Sequence, residues 1–224
     1  MPTRKPIELG EWYHCYNRGV DKRAVYLDAA DYQRFLLGMY TCAGDKAVQT
    51  SNLKDKRLPA LLGDSGFDRG ADIVEIGAYC LMPNHFHFVV KEIVEGGVAR
   101  FMQKLCTGYT MYFNTRHERT GALFAGTFKS KHVEDDRYLK HLIAYVHLNP
   151  AELFDGRWKQ GHADLEQVQR GIKRYGYSSL PDHLGVSRPE RQLLGSSVFE
   201  IYDRKPTLQE MVADAHDYYL EYRG

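Results

Sequence analysis

Long apolar runs are missing from this chain of 224 residues. None approaches the roughly 20 residues needed to cross a bilayer, and the N-terminus lacks the apolar centre of a signal peptide, so no membrane partner is expected. Cysteine is scarce. Cys15, Cys42, Cys80 and Cys106 are widely scattered, no two share a zinc-type spacing, and a chain of this size needs no disulfide staples. A reduced, cytoplasmic setting is the expectation. Net charge is nearly absent at +1, so the bulk charge identifies no partner. Internal repeats and low-complexity tracts are absent too, which excludes a solenoid. An apolar fraction of 43% allows a sizeable core, either in one large domain or in a domain with an appendage.

What charge there is, is unevenly placed. From Val98 to His132 the basic residues Arg100, Lys104, Arg116, Arg119, Lys129 and Lys131 face Glu118 alone, while the stretch from Phe199 onward leans acidic. A basic middle suits a protein that meets a polyanion on one face; a solvated surface is the bland alternative.

Read in order, the chain opens with a loose arm, Met1 to Gly10, carrying Arg4 and Lys5. Glu11 to Arg18 alternates and is rich in aromatics, as a strand would be. Asp28 or Asp31 is placed to cap a helix through Tyr32, Phe35, Leu36, Met39 and Tyr40. Residues 43–70 form a polar connection punctuated by Gly and Pro. After Gly96-Gly97, a helix is expected over Val98–Arg116. Its tyrosines Tyr109 and Tyr112 fall on a stripe that is more often core than chemistry. Leu123 to Val133 reads as extended. Beyond Pro150 come a helix over Trp158, Leu165, Val168 and Ile172, a loop from Tyr175 to Pro181, and helical segments over Pro189–Tyr202 and Thr207–Tyr222. The last of these has Thr207 and Glu210 at capping-box spacing.

Two features carry chemistry. The first is Ile73–Glu92, IVEIGAYCLMPNHFHFVVKE, which reads as two strands folded about Met82-Pro83-Asn84. Alternation along the second strand turns His85 and His87 one way and Phe86 and Phe88 the other. Two imidazoles two residues apart can point at one cation, though such a pair alone is more often structural than a metal site. The second is the helix Arg137–Leu148, with Asp135 or Asp136 as its cap. An apolar stripe of Leu139, Leu142, Ile143 and Val146 lies beside a polar one of Tyr138, His141, Tyr145 and Asn149. Pro150 should stop this helix, because a residue before proline disfavours helical angles. Tyr145 can be a buried phenol with a satisfied hydroxyl or a nucleophile, and Asn149 stands one turn from it.

With YHCYNRGVDKRAVYLDAADYQRFL at the front, LMPNHFHFVV in the middle and DDRYLKHLIAYVHLNPAEL before the tail, the chain resembles the single-tyrosine HUH transposases of bacterial insertion sequences and their REP-associated relatives. The resemblance runs through nearly all of residues 11–155. YGYSSLPDHLG is similar to the Tyr-x-Trp-Ser-Ser segment of the REP-associated group, with Tyr177 where tryptophan is usual. The resemblance implies an α+β fold: a ferredoxin-like antiparallel sheet with helices on one face, plus a mainly helical C-terminal extension. The catalytic domain would span 1–155, with a variable loop at 43–70, and the extension 156–224. It further implies His85 and His87 as metal ligands, Asn149 as the third, Tyr145 as nucleophile, and Mg²⁺ or Mn²⁺ as cofactor. The activity implied is cleavage and rejoining of single-stranded or hairpin DNA through a 5′-phosphotyrosine, by a monomer or a homodimer. Arg18, Lys22, Arg23, Arg100, Lys104, Lys129 and Lys131 are the candidate phosphate contacts. His141, one turn before Tyr145, is a candidate for proton transfer. Two other readings compete: a hairpin-DNA-binding relative without activity, and a metal-dependent hydrolase that uses His85 and His87 with Glu134 or Asp136 and forms no covalent intermediate.

Overall fold

The computed structural model describes residues 6–48, 53, 57–158, 164–212 and 214–215. The basic pair Arg4 and Lys5, part of the 43–70 connection, and the end of the helix expected over Thr207–Tyr222 lie outside the described residues. Four strands form one sheet in the order β2-β3-β1-β4, with every pairing antiparallel. They are β1 (Trp12–Arg18), β2 (Val74–Met82), β3 (His85–Glu92) and β4 (Lys129–His132). The α+β architecture with an antiparallel sheet is as expected. Of the segment Leu123–Val133, only β4 pairs as a strand.

Alternation in the strands divides the molecule into two layers of core. Tyr13 and Cys15 of β1, Tyr79 and Leu81 of β2, and Phe86, Phe88 and Val90 of β3 face one way. They meet α1 (Ala29–Cys42), the short α2 (Leu58–Leu62) and α3 (Gly97–Arg116) through Phe35, Leu36, Met39, Leu58, Phe101, Leu105 and Tyr109. Tyr109 is core, its hydroxyl donating to the Val25 carbonyl at 2.5 Å. Asp28 is the cap of α1, accepting from Ala30 N and Asp31 N, while Asp31 is buried and accepts from Leu27 N at 2.8 Å. Arg116, at the end of α3, pairs with both aspartates and so ties the two helices together. The opposite face carries Ala78, Cys80 and Met82 of β2 and Val89 of β3, covered by α4 (Asp136–Leu148). Thus α1 and α3 share one face, and α4 adds a layer to the other.

Asp135 caps α4, its carboxylate accepting from Tyr138 N at 2.7 Å. α4 ends at Leu148, before Pro150 as expected, but the chain does not leave the helical path there. Asn149 (φ −51°, ψ −41°) and Pro150 (φ −67°, ψ −10°) keep helical angles and lead into α5 (Ala151–Phe154). The Asn149 amide donates to the Tyr145 carbonyl at 2.8 Å, holding that carbonyl within the turn.

The tail folds back over this layer. α6 (Leu165–Arg174) begins after its cap Asp164, so Trp158 stands outside it. Its Val168 and Ile172 pack with Ala144 and Leu148 on the outer side of α4. Residues 175–198 then run beside β2, through α7 (Leu180–His183) and a 3-10 turn at Pro189–Leu193 to α8 (Ser197–Glu200). Leu81 N donates to Tyr177 O at 2.9 Å, Ser179 N to Tyr79 O at 3.0 Å, and Gly195 N to Ile76 O at 3.0 Å. Tyr177, at the position usual for tryptophan, stacks on Tyr32 at 3.7 Å. Gly77, where β2 and β3 slip register, has Trp12 and Val198 so close that an added Cβ would lie 2.7 Å from the indole. The expected capping box is present, with Thr207 N donating to Glu210 and Glu210 N to Thr207. Among the described residues no helix is long and apolar enough to cross a membrane.

Candidate active site

The chemistry-bearing residues meet where the ends of β1, β3 and α4 converge. Phe86 and Phe88 are locked into the α1–α3 core, so alternation turns His85 and His87 to the other face. Antiparallel pairing sets Arg18 opposite His85 and Tyr16 opposite His87. α4 lays Tyr145 and Asn149 across the same end. His85, His87, Tyr145, Asn149, Arg18 and Lys129 line one cavity of about 370 Å³, together with Tyr16 and Glu152.

The rings are tightly arranged. The imidazoles of His85 and His87 stand nearly perpendicular, centroids 5.1 Å apart. Tyr145, 1% exposed, presents its ring edge-on to His87 at 5.5 Å and to His14 at 5.9 Å. Nδ1 of His87 lies 2.8 Å from Nε2 of His14, and Nδ1 of His85 lies 2.6 Å from Oδ1 of Asn84. Asn84 is itself held by the Lys22 carbonyl, to which its amide donates at 3.1 Å.

Among the described residues no three side chains of His, Cys, Asp or Glu gather as a metal site. A cation here would need the amide of Asn149, whose nitrogen is committed to the Tyr145 carbonyl, so that the oxygen is the atom left to coordinate. Two imidazoles and an amide oxygen would make a neutral set, able to hold a divalent cation while leaving its charge and open positions to a substrate. Cys80 pairs with His87 across β2 and β3, but burial, with Glu152 adding to it, raises its thiol well above the usual range and keeps it protonated.

Not every candidate phosphate contact reaches this end of the molecule. Arg18 and Lys129 line the cavity. Lys131 lies on the same side, its ammonium 5.0 Å from the Tyr138 ring. Lys22 and Arg23 are exposed in the turn that holds Asn84, and Arg23 pairs with Asp21. Arg100 and Lys104 lie on α3, across the sheet, and Lys104 donates to the Gly44 carbonyl. The basic middle of the sequence is therefore divided between two faces. His141 is buried in α4. Glu134 and Asp136, the carboxylates of the hydrolase reading, are exposed and do not line the cavity. Sequence reasoning missed His14, Tyr16 and Glu152. The alternation of His14, Tyr16 and Arg18 was a signal for one shared face, but their meeting with β3 depends on register.

The family described as "Transposase IS200 like" matches residues 54–149. No curated protein matches the chain. Among solved structures, the fold is similar to that of a REP-associated tyrosine transposase bound to a REP hairpin, with a TM-score of 0.52 at 13% identity, over 92% of this chain and 99% of that one. The resemblance read from the sequence is thereby borne out: residues 54–149 match the IS200-like transposase family, and the fold is similar to that of a REP-associated tyrosine transposase.

Proposed function

We propose that this protein cleaves and rejoins single-stranded or hairpin DNA, with Tyr145 as nucleophile. The observation that carries this is the convergence of Tyr145, His85, His87 and Asn149 in one cavity, with Arg18 and Lys129 beside them. Arg18 and Lys129 would hold phosphates of the strand and direct the scissile one toward Tyr145. The Tyr145 oxygen attacks phosphorus and the 3′-oxygen leaves. The products are a 5′-phosphotyrosine and a free 3′-hydroxyl, which takes the proton. The phosphoester energy stays in the covalent link, so a 3′-hydroxyl of another strand can reverse the step and rejoin DNA without a nucleotide cofactor. Mg²⁺ or Mn²⁺ held by His85, His87 and Asn149 would supply polarisation of a phosphoryl oxygen. A hairpin partner is in keeping with the REP hairpin bound by the similar solved structure.

The test is a covalent adduct. Hairpin oligonucleotides drawn from DNA flanking the gene, labelled 3′ of the cut, are incubated with protein and Mn²⁺ and run on a denaturing protein gel. The expected result is a labelled band at the mass of protein plus DNA, lost with EDTA and lost in Tyr145→Phe. Cleavage without that band would overturn the tyrosine mechanism in favour of hydrolysis. Binding without cleavage would make the chain a hairpin-binding relative.

A further inference from the structure

We infer that His14 is a positioning residue, the proton acceptor that fixes His87 in the tautomer a cation requires. This rests on the metal reading above. Nitrogens 2.8 Å apart, as His87 Nδ1 and His14 Nε2 are, share one proton, so one ring donates and the other accepts. If His14 donated, a neutral His87 would carry its proton on Nε2 and have no lone pair there for a cation. If His87 donates, its Nε2 lone pair is directed away from β1 and becomes a ligand.

His85 shows the second arrangement. Its Nδ1 lies 2.6 Å from Asn84 Oδ1, and a carbonyl oxygen only accepts. The Asn84 amide nitrogen is occupied in donating to Lys22 O, which settles which end of the amide faces His85. His85 therefore donates from Nδ1 and carries its lone pair on Nε2. A cation shared by the two histidines needs the same state in both. For His87, the deciding group is His14.

Packing gives His14 the rigidity this role demands. It is 4% exposed, set edge to edge with His87 with centroids 5.0 Å and planes 26° apart, and in ring contact with Tyr16 at 4.9 Å. Its neighbours in β1, Tyr13 and Cys15, are buried in the opposite core, so the strand cannot slide past β3 without exposing them. The His14–His87 contact is the diagonal one across the pair, since Tyr16 is the direct partner of His87 and Val89 that of His14.

Two variants separate positioning from packing. His14→Phe keeps an aromatic ring at the position and removes the acceptor; His14→Gln restores a carbonyl acceptor. Mn²⁺ binding is measured by titration calorimetry on the protein without DNA. The His87 tautomer is read from ring ¹⁵N shifts with Mg²⁺ present, and unfolding midpoints are recorded for each protein. The expected result is Mn²⁺ affinity about 10- to 100-fold weaker in His14→Phe, as for loss of an outer hydrogen-bond partner of a ligand, and largely restored in His14→Gln. His87 should be protonated at Nδ1 in the wild type and in His14→Gln, and should lose that preference in His14→Phe. Wild-type affinity and an unchanged tautomer in His14→Phe would overturn the inference and leave the transposase reading standing. If His14→Phe unfolds, a folded His14→Gln that no longer binds Mn²⁺, or that carries its His87 proton on Nε2, overturns it equally. A wild type that binds no Mn²⁺ overturns the metal reading and this inference together.

Discussion

Lys129 and Lys104 belong to one basic stretch of sequence and end on opposite sides of the sheet. Lys129 lines the cavity with Tyr145, whereas Lys104 sits in the groove between α1 and α3 and donates to Gly44 O. A phosphate contact is worth about one unit of salt slope, so the two should behave differently. Lys129→Ala is expected to weaken hairpin binding at every sequence and lower the slope of log K against log salt by about one. Lys104→Ala should leave both unchanged. Fluorescence titrations at four salt concentrations decide it, and equal losses for the two variants would move the DNA onto the α1–α3 face. The same contrast marks what could be read from residues alone. His85, His87, Tyr145 and Asn149 were legible because short spacings on one strand or one helix fix their common direction. His14 was not, because its contact with His87 is set by the register between strands more than 70 positions apart. The separation of Lys104 from Lys129 was not legible, because a run of charge in sequence says nothing about which face of a sheet its helix covers.

At the scale of elements, the tail is joined to the sheet by a buried polar cluster. Nε2 of His147, on α4, lies 2.8 Å from Ser179 Oγ, which also accepts from Tyr79 N at 2.8 Å. His183, on α7, donates to the Gly77 carbonyl at 2.9 Å, and the two imidazoles are 4.6 Å apart. Asp182 and Arg188 brace the same turn with an ion pair at 2.5 Å. Burial keeps both histidines neutral. It places His147 well below the usual range, with His183 and Arg188 adding to the effect. His183 is lowered to about 4 by burial, with Arg191 adding to it and the bond to Gly77 opposing. The sign of the linkage follows. An unfolded histidine takes up its proton near pH 6.5, and the folded ones refuse it until lower pH. Their contribution to stability is therefore whole above about 6.5 and is lost as pH falls toward 4, at up to about 1.4 kcal/mol per pH unit for each. Asp28 and Glu210, held to about 2 by Arg116 and Arg204, give up their contributions as pH falls from the ordinary carboxylate range toward 2, mostly below that window. Asp182, raised by burial, works in the opposite sense. Urea unfolding between pH 7 and 4.5 should show the decline. His183→Gln, which keeps a donor for Gly77, should flatten it by about one histidine's share; an unchanged slope would remove His183 from the account.

The whole molecule turns on α4, which is covered on both sides. Leu139, Leu142, Ile143 and Val146 meet the sheet, and Ala144 and Leu148 meet α5, α6 and α7. The first side was legible as an apolar stripe. The second was not, because its partners follow Pro150 and read as a separate extension, with nothing local to say that they return to the sheet. Residues 165–180, expected to belong to a separate extension, pack against the outer side of α4. Val168, Ile172 and Leu180 close the outer layer, and Val198 fills the space above Gly77, all fully buried. At about 2 kcal/mol for each such side chain, their loss matches the stability margin of an ordinary domain. It would also bare the hydrogen-bonding edge of β2, which Tyr177, Ser179 and Gly195 now occupy. An uncovered edge strand pairs with whatever chain it meets. A chain ending at residue 155 should thus associate on size-exclusion chromatography and unfold without a cooperative transition, while the full chain unfolds in one step. A monomeric fragment with stability within about 1 kcal/mol of the full chain would show that the sheet and α4 stand alone. The tail would then have to be explained by what it does to DNA.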